Sequence, residues 1–440
     1  MAATPMAEGI STGLLKVMER AQRDPTCRFL SLAHLVEEGA LERAFRRIRK
    51  NAAVGVDGTT KEQYGQELGE NLRSLHKQLK TMTYRHKPIR RVHIPKGEGK
   101  TRPIGVSSIQ DKIVQEALRE VLEAVYEPLF LDVSFGFRPG RSAHDALRAL
   151  NTPLVRGEVR WVLEADISSF FDSIDRAMLR EMLQERVADG KLLRLIGKCL
   201  HVGILDGEEY TEPDEGTVQG SGLSPLLGNV CLHHVLDQWF ERDVRPRLRG
   251  KASLVRFADD FVIGFEREDD AKRVMAVLGR RFERYGLRLH PEKTRLLPFQ
   301  RPSWEQPEGK GPATFDFLGF TLYWRRTRGG QWMPAFKTRK ARLRRAIQAV
   351  AEWCRRNRHR SVKEQSAALT RKIVGHYNYF GVNGNSRSLA LLVDYARRVW
   401  CAWLRRRSQR RLSWKRFNEI LRRFPLPAPR IRVQIWRTSS

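Results

Sequence analysis

Long apolar runs are missing from this chain, and nothing in it approaches the roughly 18 consecutive apolar residues of a membrane span. The N-terminus lacks the basic-then-apolar pattern of an export signal. Cysteine is scarce: Cys27, Cys199, Cys231, Cys354 and Cys401 are scattered, and no two stand at the spacing of a zinc site. These absences read as reduced thiols, a cytoplasmic protein and no membrane partner. Acid is nearly absent from the last quarter, where residues 321–440 hold only Glu352, Glu364, Asp394 and Glu419 against 31 Lys and Arg. The whole chain of 440 residues carries a formal +31, so +27 of that charge lies in this one stretch. Such an excess is beyond what solubility requires and fits a polyanionic partner. Seven of the ten tryptophans (Trp324, Trp332, Trp353, Trp400, Trp403, Trp414 and Trp436) share the stretch, a mixture suited to phosphate contact and base stacking. Each Trp taken alone is better explained as core of a small helical domain, which leaves the charge as the firmer signal.

The length exceeds one ordinary core and fits two or three domains. Apolar spacing predicts helices within 12–50, about 60–80, 108–126, 175–187 and 225–242, and a helical, basic region from 337 to the proline cluster at 425–429. Strands are predicted over 88–95, 160–165, 254–265 as a pair, and 315–320, with a Gly/Lys-rich turn at 96–102 and an exposed loop at 300–313. Mixed strands and helices with several strands close in sequence indicate an α+β class rather than a doubly wound parallel sheet.

Chemistry concentrates in two segments. Leu254-Val255-Arg256-Phe257-Ala258-Asp259-Asp260-Phe261-Val262-Ile263-Gly264-Phe265 places two acids between apolar runs, the pattern of a hairpin with carboxylates at its tip. Alone it is weak, because aspartate favours turns for local hydrogen-bonding reasons. Trp161-Val162-Leu163-Glu164-Ala165-Asp166 runs a second strand into another acid, for which the bland alternative is a helix cap or a solvated turn. A strand-end aspartate beside an acid-tipped hairpin can share two divalent cations, which activate a hydroxyl nucleophile and stabilise departing pyrophosphate. Oxygen ligands and a phosphate-rich substrate suit Mg²⁺.

These segments and several others stand in the order of the reverse-transcriptase motifs, and residues from about 50 to 440 resemble a group II intron reverse transcriptase, or maturase. The resemblance rests on Gly55-Val56-Asp57-Gly58, Arg102-Pro103-Ile104-Gly105, Gly136-Phe137-Arg138-Pro139-Gly140-Arg141-Ser142, Gln219-Gly220-Ser221-Gly222-Leu223-Ser224-Pro225 and Phe257-Ala258-Asp259-Asp260. Gly286-Leu287-Arg288-Leu289-His290-Pro291-Glu292-Lys293-Thr294, Phe317-Leu318-Gly319-Phe320 and the later Gly375-His376-Tyr377-Asn378-Tyr379-Phe380 extend it. Two departures are visible: Phe257 stands where Tyr is commoner, and Ser221 where many relatives have Gly. Neither removes a charged group.

The resemblance implies a right-hand polymerase: an N-terminal extension over 1–60, reverse-transcriptase fingers and palm over 61–325, and a helical, basic thumb or maturase domain over 326–440 that binds RNA. It implies Asp166, Asp259 and Asp260 as catalytic carboxylates, with the backbone of Ile167 beside them, holding two Mg²⁺ ions. It also implies a nucleotide site of Lys96, Arg102, Ile167, Phe171 and Gln219, in which Phe171 blocks a ribose 2′-hydroxyl, with Lys293 nearby. The partners implied are group II intron RNA, an RNA template with a DNA primer, target DNA and deoxynucleoside triphosphates, and the localisation a bacterial cytoplasm near the nucleoid. A homodimer is left open. The resemblance further leads one to expect no Cys/His-rich endonuclease module, so that mobility would draw its primer from elsewhere. Two other readings stand beside this one: a maturase acting chiefly as an RNA-binding splicing factor, and a reverse transcriptase recruited to defence or DNA repair.

Overall fold

The computed structural model describes residues 11–97, 100–212, 215–217, 220–303, 313–327, 329–407 and 412–436, with backbone alone at 96, 97 and 100. The N-terminal helices are α1 (Thr12–Arg23), α2 (Glu38–Arg47), α3 (Lys61–Gln66) and α4 (Leu68–Lys80). A hairpin, β1 (Ile89–Gly97) and β2 (Lys100–Val106), then leads into the buried helix α5 (Ile109–Tyr126). The segment before residue 60 is not a separate body. Leu14, Leu32, Leu41 and Ala44 are buried in the same core as Val114, Leu118 and Leu122 of α5. Arg43 and Arg47 of α2 both bond Glu120 of α5, at 3.0 and 2.9 Å.

Residues 96–102, predicted as a turn, continue the strand pairing almost to the hairpin tip, with Ile94 opposite Arg102 and Gly97 opposite Lys100. Pro103 is tolerated in β2 because that strand is an edge of its sheet, ordered β2-β1-β4-β5, where a missing N–H costs little. Helix α6 (Ala143–Val155) opens on a reciprocal Ser142–Asp145 capping box, and β3 (Trp161–Asp166) follows. After α7 (Arg176–Gln184) and α8 (Gly190–Leu200) come the short β4 (Ile204–Asp206) and β5 (Glu209–Thr211), then α9 (Ser224–Leu232). The helix predicted over 225–242 exists, but from His233 to Val244 its hydrogen bonds widen to π-helical turns.

The central sheet is antiparallel and ordered β6-β7-β3-β8, from β6 (Ala252–Phe257), β7 (Asp260–Phe265) and β8 (Arg295–Pro298), with α10 (Glu268–Glu283) between β7 and β8. Its strands β3, β6 and β7 carry nearly continuous apolar runs because both faces are covered there. Leu163, Phe261 and Ile263 pack with Val274, Leu278 and Phe282 of α10, while Val162, Val255 and Val262 pack with Leu147 and Leu150 of α6. A third sheet, β9 (Phe315–Phe317), β10 (Phe320–Arg326) and β11 (Trp332–Thr338), joins this second core.

Four helices close the chain: α11 (Lys340–Arg356), α12 (Val362–Phe380), α13 (Ser386–Arg405) and α14 (Trp414–Arg423). They enclose their own core of Cys354, Leu369, Ile373, Trp400 and Phe417. The boundary expected between 325 and 326 falls inside the β10–β11 hairpin, where Arg325 pairs Met333, and the helical region begins only at Lys340. The aromatics of this region mostly pack: Trp324, Trp332 and Trp400 are buried, Trp353 and Trp403 line the helical core, and Trp436 stacks on Phe336. Trp414 is the large exposed indole here, at 47 %. The last-quarter charge therefore sits on a packed helical body and the adjoining β10–β11 hairpin, whose indoles are largely committed to their two cores. No helix among the described residues is long and apolar enough to cross a membrane.

Candidate active site

Register brings the three acids together. Asp166 at the end of β3 pairs directly with Asp260 at the start of β7, so their side chains leave one face of the sheet as cross-strand neighbours. Phe257 pairs with Asp260 across the β6–β7 hairpin, which confines Ala258 and Asp259 to a two-residue turn. Ala258 holds φ 57°, in the left-handed region that a non-glycine residue enters only at a cost. Beyond Asp166 the chain is gripped on both sides of Ile167: His290 donates its N–H to the Asp166 carbonyl at 2.8 Å, and Ser168 donates to the Arg288 carbonyl at 2.8 Å. That grip lays the 286–294 loop along the strand end and brings Lys293 Nζ to 2.5 Å from Asp166 Oδ2.

Burial dominates the electrostatics. It raises the pKa of Asp259, with Asp166 adding to the rise and Arg102 and Lys293 opposing it. Burial likewise pushes Asp260 up to about 7, with Asp166 and Asp259 adding to it, against a hydrogen bond from the Leu318 N–H at 3.4 Å. Among the described residues no three acidic, His or Cys side chains are arranged to hold an ion unaided. The donor set still fits Mg²⁺, which takes one or two carboxylates and fills its shell with water and substrate phosphate.

The raised Asp260 carboxyl makes stability depend on pH. Without metal the folded state keeps on Asp260 a proton that the unfolded chain releases near its ordinary value of 3.8, so stability falls as pH rises from there to about 7. The loss is on the order of 2 kcal/mol once the remaining exposure is allowed for. In chelator, unfolding should therefore come earlier at about pH 8 than at about pH 5.5, and Mg²⁺ should restore more at the higher pH. Asp260→Asn should remove most of both differences, leaving the smaller share of Asp259; their full persistence in that variant, followed by calorimetry, would assign them to another group.

Around the acids stand residues expected at a nucleotide site. Ser169, at φ 45°, turns the chain into the 3₁₀ turn Phe170–Asp172. Phe170 is buried while Phe171 stays partly open, their rings 5.2 Å apart, and a Cβ on Gly228 of α9 would meet the two rings at 2.9 and 3.1 Å. The Phe171 carbonyl accepts the Thr217 N–H at 2.6 Å, which hangs the following loop on this turn. Gly220, at φ 110°, passes so close to β2 that a Cβ would lie 2.4 Å from the Gly105 carbonyl oxygen. Gly222 donates its N–H to Gln115 Oε1 of α5 at 3.1 Å. Burial raises the Asp172 carboxyl as it does Asp259, and the charge of Arg102 on β2 opposes the rise at both. Gln219 and the Lys96 side chain lie outside the described residues.

Other positioning groups carry no motif signature. Arg256 is fully buried: its guanidinium pairs with Asp237 at 2.6 and 2.7 Å, and donates to Asn229 Oδ1, Ser134 Oγ and the Ala258 carbonyl. Asn229 in turn donates to the Gly136 carbonyl at 2.7 Å, and a Cβ on Gly136 would sit 2.4 Å from Ala258 N. A lone arginine in the apolar run before the acid pair was the available signal. Leu318, at φ 51°, bonds Asp260 on one side, and its carbonyl accepts from Tyr379 Oη of α12 at 2.9 Å on the other. His144 of α6 meets the Tyr379 carbonyl at 2.8 Å. The helical region thus reaches the acid cluster through one turn.

A family model and several known proteins are similar to this chain. Residues 94–322 match the family model described as reverse transcriptase (RNA-dependent DNA polymerase). Protein YkfC of Escherichia coli is 32% identical over 280 residues, 56% of this chain and 74% of that protein. Group II intron-encoded protein LtrA of Lactococcus lactis is 36% identical over 212 residues, 47% of this chain and 35% of LtrA. Nuclear intron maturase 2 of Arabidopsis thaliana is 30% identical over 186 residues, 33% of this chain and 25% of that protein. The chain matches about three quarters of the first of these, but only 35% and 25% of the other two.

Proposed function

Because the chain belongs to the reverse transcriptase (RNA-dependent DNA polymerase) family, we propose that it copies RNA into DNA and, as a group II intron-type protein, binds its intron RNA, assists splicing and acts in retrohoming. The observation that carries the polymerase is the pairing of Asp166 with Asp260 beside Asp259 in the adjoining turn. Two Mg²⁺ ions, when bound there, activate the primer 3′-hydroxyl and neutralise the departing pyrophosphate. Asp166, Asp259 and the Ile167 backbone would hold them, with Asp260 as the third carboxylate. Lys293, whose Nζ lies 2.5 Å from Asp166 Oδ2, sets a positive charge beside this carboxylate. Lys96 and Arg102 take the triphosphate and base of a deoxynucleotide, and Gln219 lies by its sugar.

The similarity to intron proteins and the +27 of residues 321–440 support the RNA-binding half of the reading, in a bacterial cytoplasm and against target DNA at the nucleoid. Mg²⁺-dependent extension of a DNA primer on an RNA template tests the polymerase. Affinity for cognate intron RNA and for an unrelated RNA of equal length, each at two salt concentrations, tests the maturase. Charge alone gives steep salt dependence with both RNAs, whereas shape recognition keeps a preference at higher salt. Extension with equal RNA affinities would leave a basic polymerase without specific intron binding. RNA preference without extension would favour a splicing factor.

Phe171 sets the sugar selectivity in this reading, since its ring is held from beneath by Gly228 and the Phe170 ring. Phe171→Ala should raise ribonucleotide incorporation relative to deoxyribonucleotide by about tenfold or more, the scale of one lost steric contact in a tight pocket. An unchanged ratio in single-nucleotide kinetics would make Phe171 a packing residue.

A further inference from the structure

Phe137 stands out in a segment that is otherwise locked into the fold. Phe135 and Arg138 are buried at 7 % exposure each and Gly136 is buried, yet Phe137 is 52 % exposed. Its backbone lies at φ 56°, a conformation that is an outlier for a bulky residue. Both flanks are pinned. Phe135 donates to the Arg256 carbonyl at 2.9 Å, and Gly136 accepts from Asn229 while packing against Ala258 N. On the far side the Arg138 guanidinium bonds the Glu127 carboxylate and the carbonyls of Phe130, Leu131 and Ser134. The strain is thus imposed from both ends, and the ring makes no ring pair with a described aromatic that would repay it. Strain of this kind persists where it serves a site.

The position says which site. Ser134 bridges Arg256 at the outer edge of β6, the edge farthest from β8 in the order β6-β7-β3-β8. Phe171 follows β3, and α9 runs under both places, Gly228 meeting the Phe171 ring and Asn229 holding Gly136. Phe137 and Phe171 therefore flank the acid pair from different sides. With the incoming nucleotide beside Phe171, as in the reading above on which this inference rests, the substrate left for the Phe137 side is the end of the duplex that carries the 3′-hydroxyl. We propose that the Phe137 ring lies against the sugars and base edges of the terminal template–primer pair and helps seat the primer end at the Asp259 turn. An aromatic face suits that task because it contacts every base pair alike, and base-independent contact is what template copying demands.

The test exploits the left-handed backbone. Phe137→Gly removes the ring and also relieves the strain, so its thermal stability should equal or exceed that of the wild type. Its affinity for an RNA–DNA duplex with a recessed 3′ end, read by fluorescence anisotropy without nucleotide, should fall about tenfold, the scale of one lost aromatic contact. The KM for deoxynucleotide should stay unchanged, and Phe137→Tyr should restore duplex affinity. A Phe137→Gly protein that binds the duplex as tightly as wild type overturns the proposal, as does a rise confined to the nucleotide KM. A marked loss of stability would also overturn it, since the ring would then be packing on the fold. If the wild type makes no DNA, the polymerase reading fails, while the anisotropy series still decides whether Phe137 touches the duplex.

Discussion

Asp259→Asn is expected to lose RNA-templated extension by about 10³-fold or more, equivalent to about 4 kcal/mol of transition-state stabilisation. The exchange is nearly isosteric, and the two-residue turn makes no demand on the charge, so the hairpin should form as before. What disappears is an anionic oxygen at the point where Asp166 and Asp260 converge. Burial raises the Asp259 pKa, so an uncharged side chain should suit the metal-free fold slightly better than the acid does. The variant should therefore unfold no earlier than wild type in chelator and bind structured RNA with nearly unchanged affinity, because the basic excess lies in residues 321–440. Extension within tenfold of wild type would remove Asp259 from the catalytic set.

Arg256→Met is expected to destabilise the fold by about 3–5 kcal/mol, because it strands Asp237, which has no exposed surface, without its cation. Asp237→Leu added to it should recover much of that stability, since replacing both members of a buried ion pair costs far less than removing one. Activity should not return with stability. The double variant still lacks the donors to the Ala258 carbonyl, Asn229 and Ser134, so the turn that carries Asp259 loses its clamp. Urea unfolding beside primer extension separates the two effects. A single variant less than about 1 kcal/mol below wild type, or a double variant with full activity, would make Arg256 an ordinary buried residue.

Legibility in the sequence followed the range of the interaction. The β6–β7 hairpin was readable because apolar runs flank two acids, and the end of β3 because an apolar strand stops at Asp166; both are local patterns. That Asp166 faces Asp260 is a matter of register, which only the sheet decides. Gly136 and Gly220 stood in recognisable motifs, but their need to lack a Cβ comes from Ala258 and Gly105, each more than a hundred residues away. Arg256 and Asp237 are a strand residue and a helix residue with no spacing rule between them. The tryptophans of the last quarter suited base stacking as composition, yet Trp400 and its neighbours are needed to build a core in a segment so rich in arginine.

The short path from Tyr379 through Leu318 to Asp260 bears on how such a chain can be divided. A fragment ending near residue 325 would carry half of the β10–β11 hairpin, bare the faces of Phe320 and Leu322, and leave the Leu318 carbonyl without its phenol. Its silence as a polymerase would report a loosened floor under a carboxylate, whatever became of RNA affinity. The helical segment is accordingly no detachable accessory. Insertions and exchanges between relatives should be tolerated on its outer helices, whereas the junction made by His144, Leu318 and Tyr379 has to be inherited as one piece.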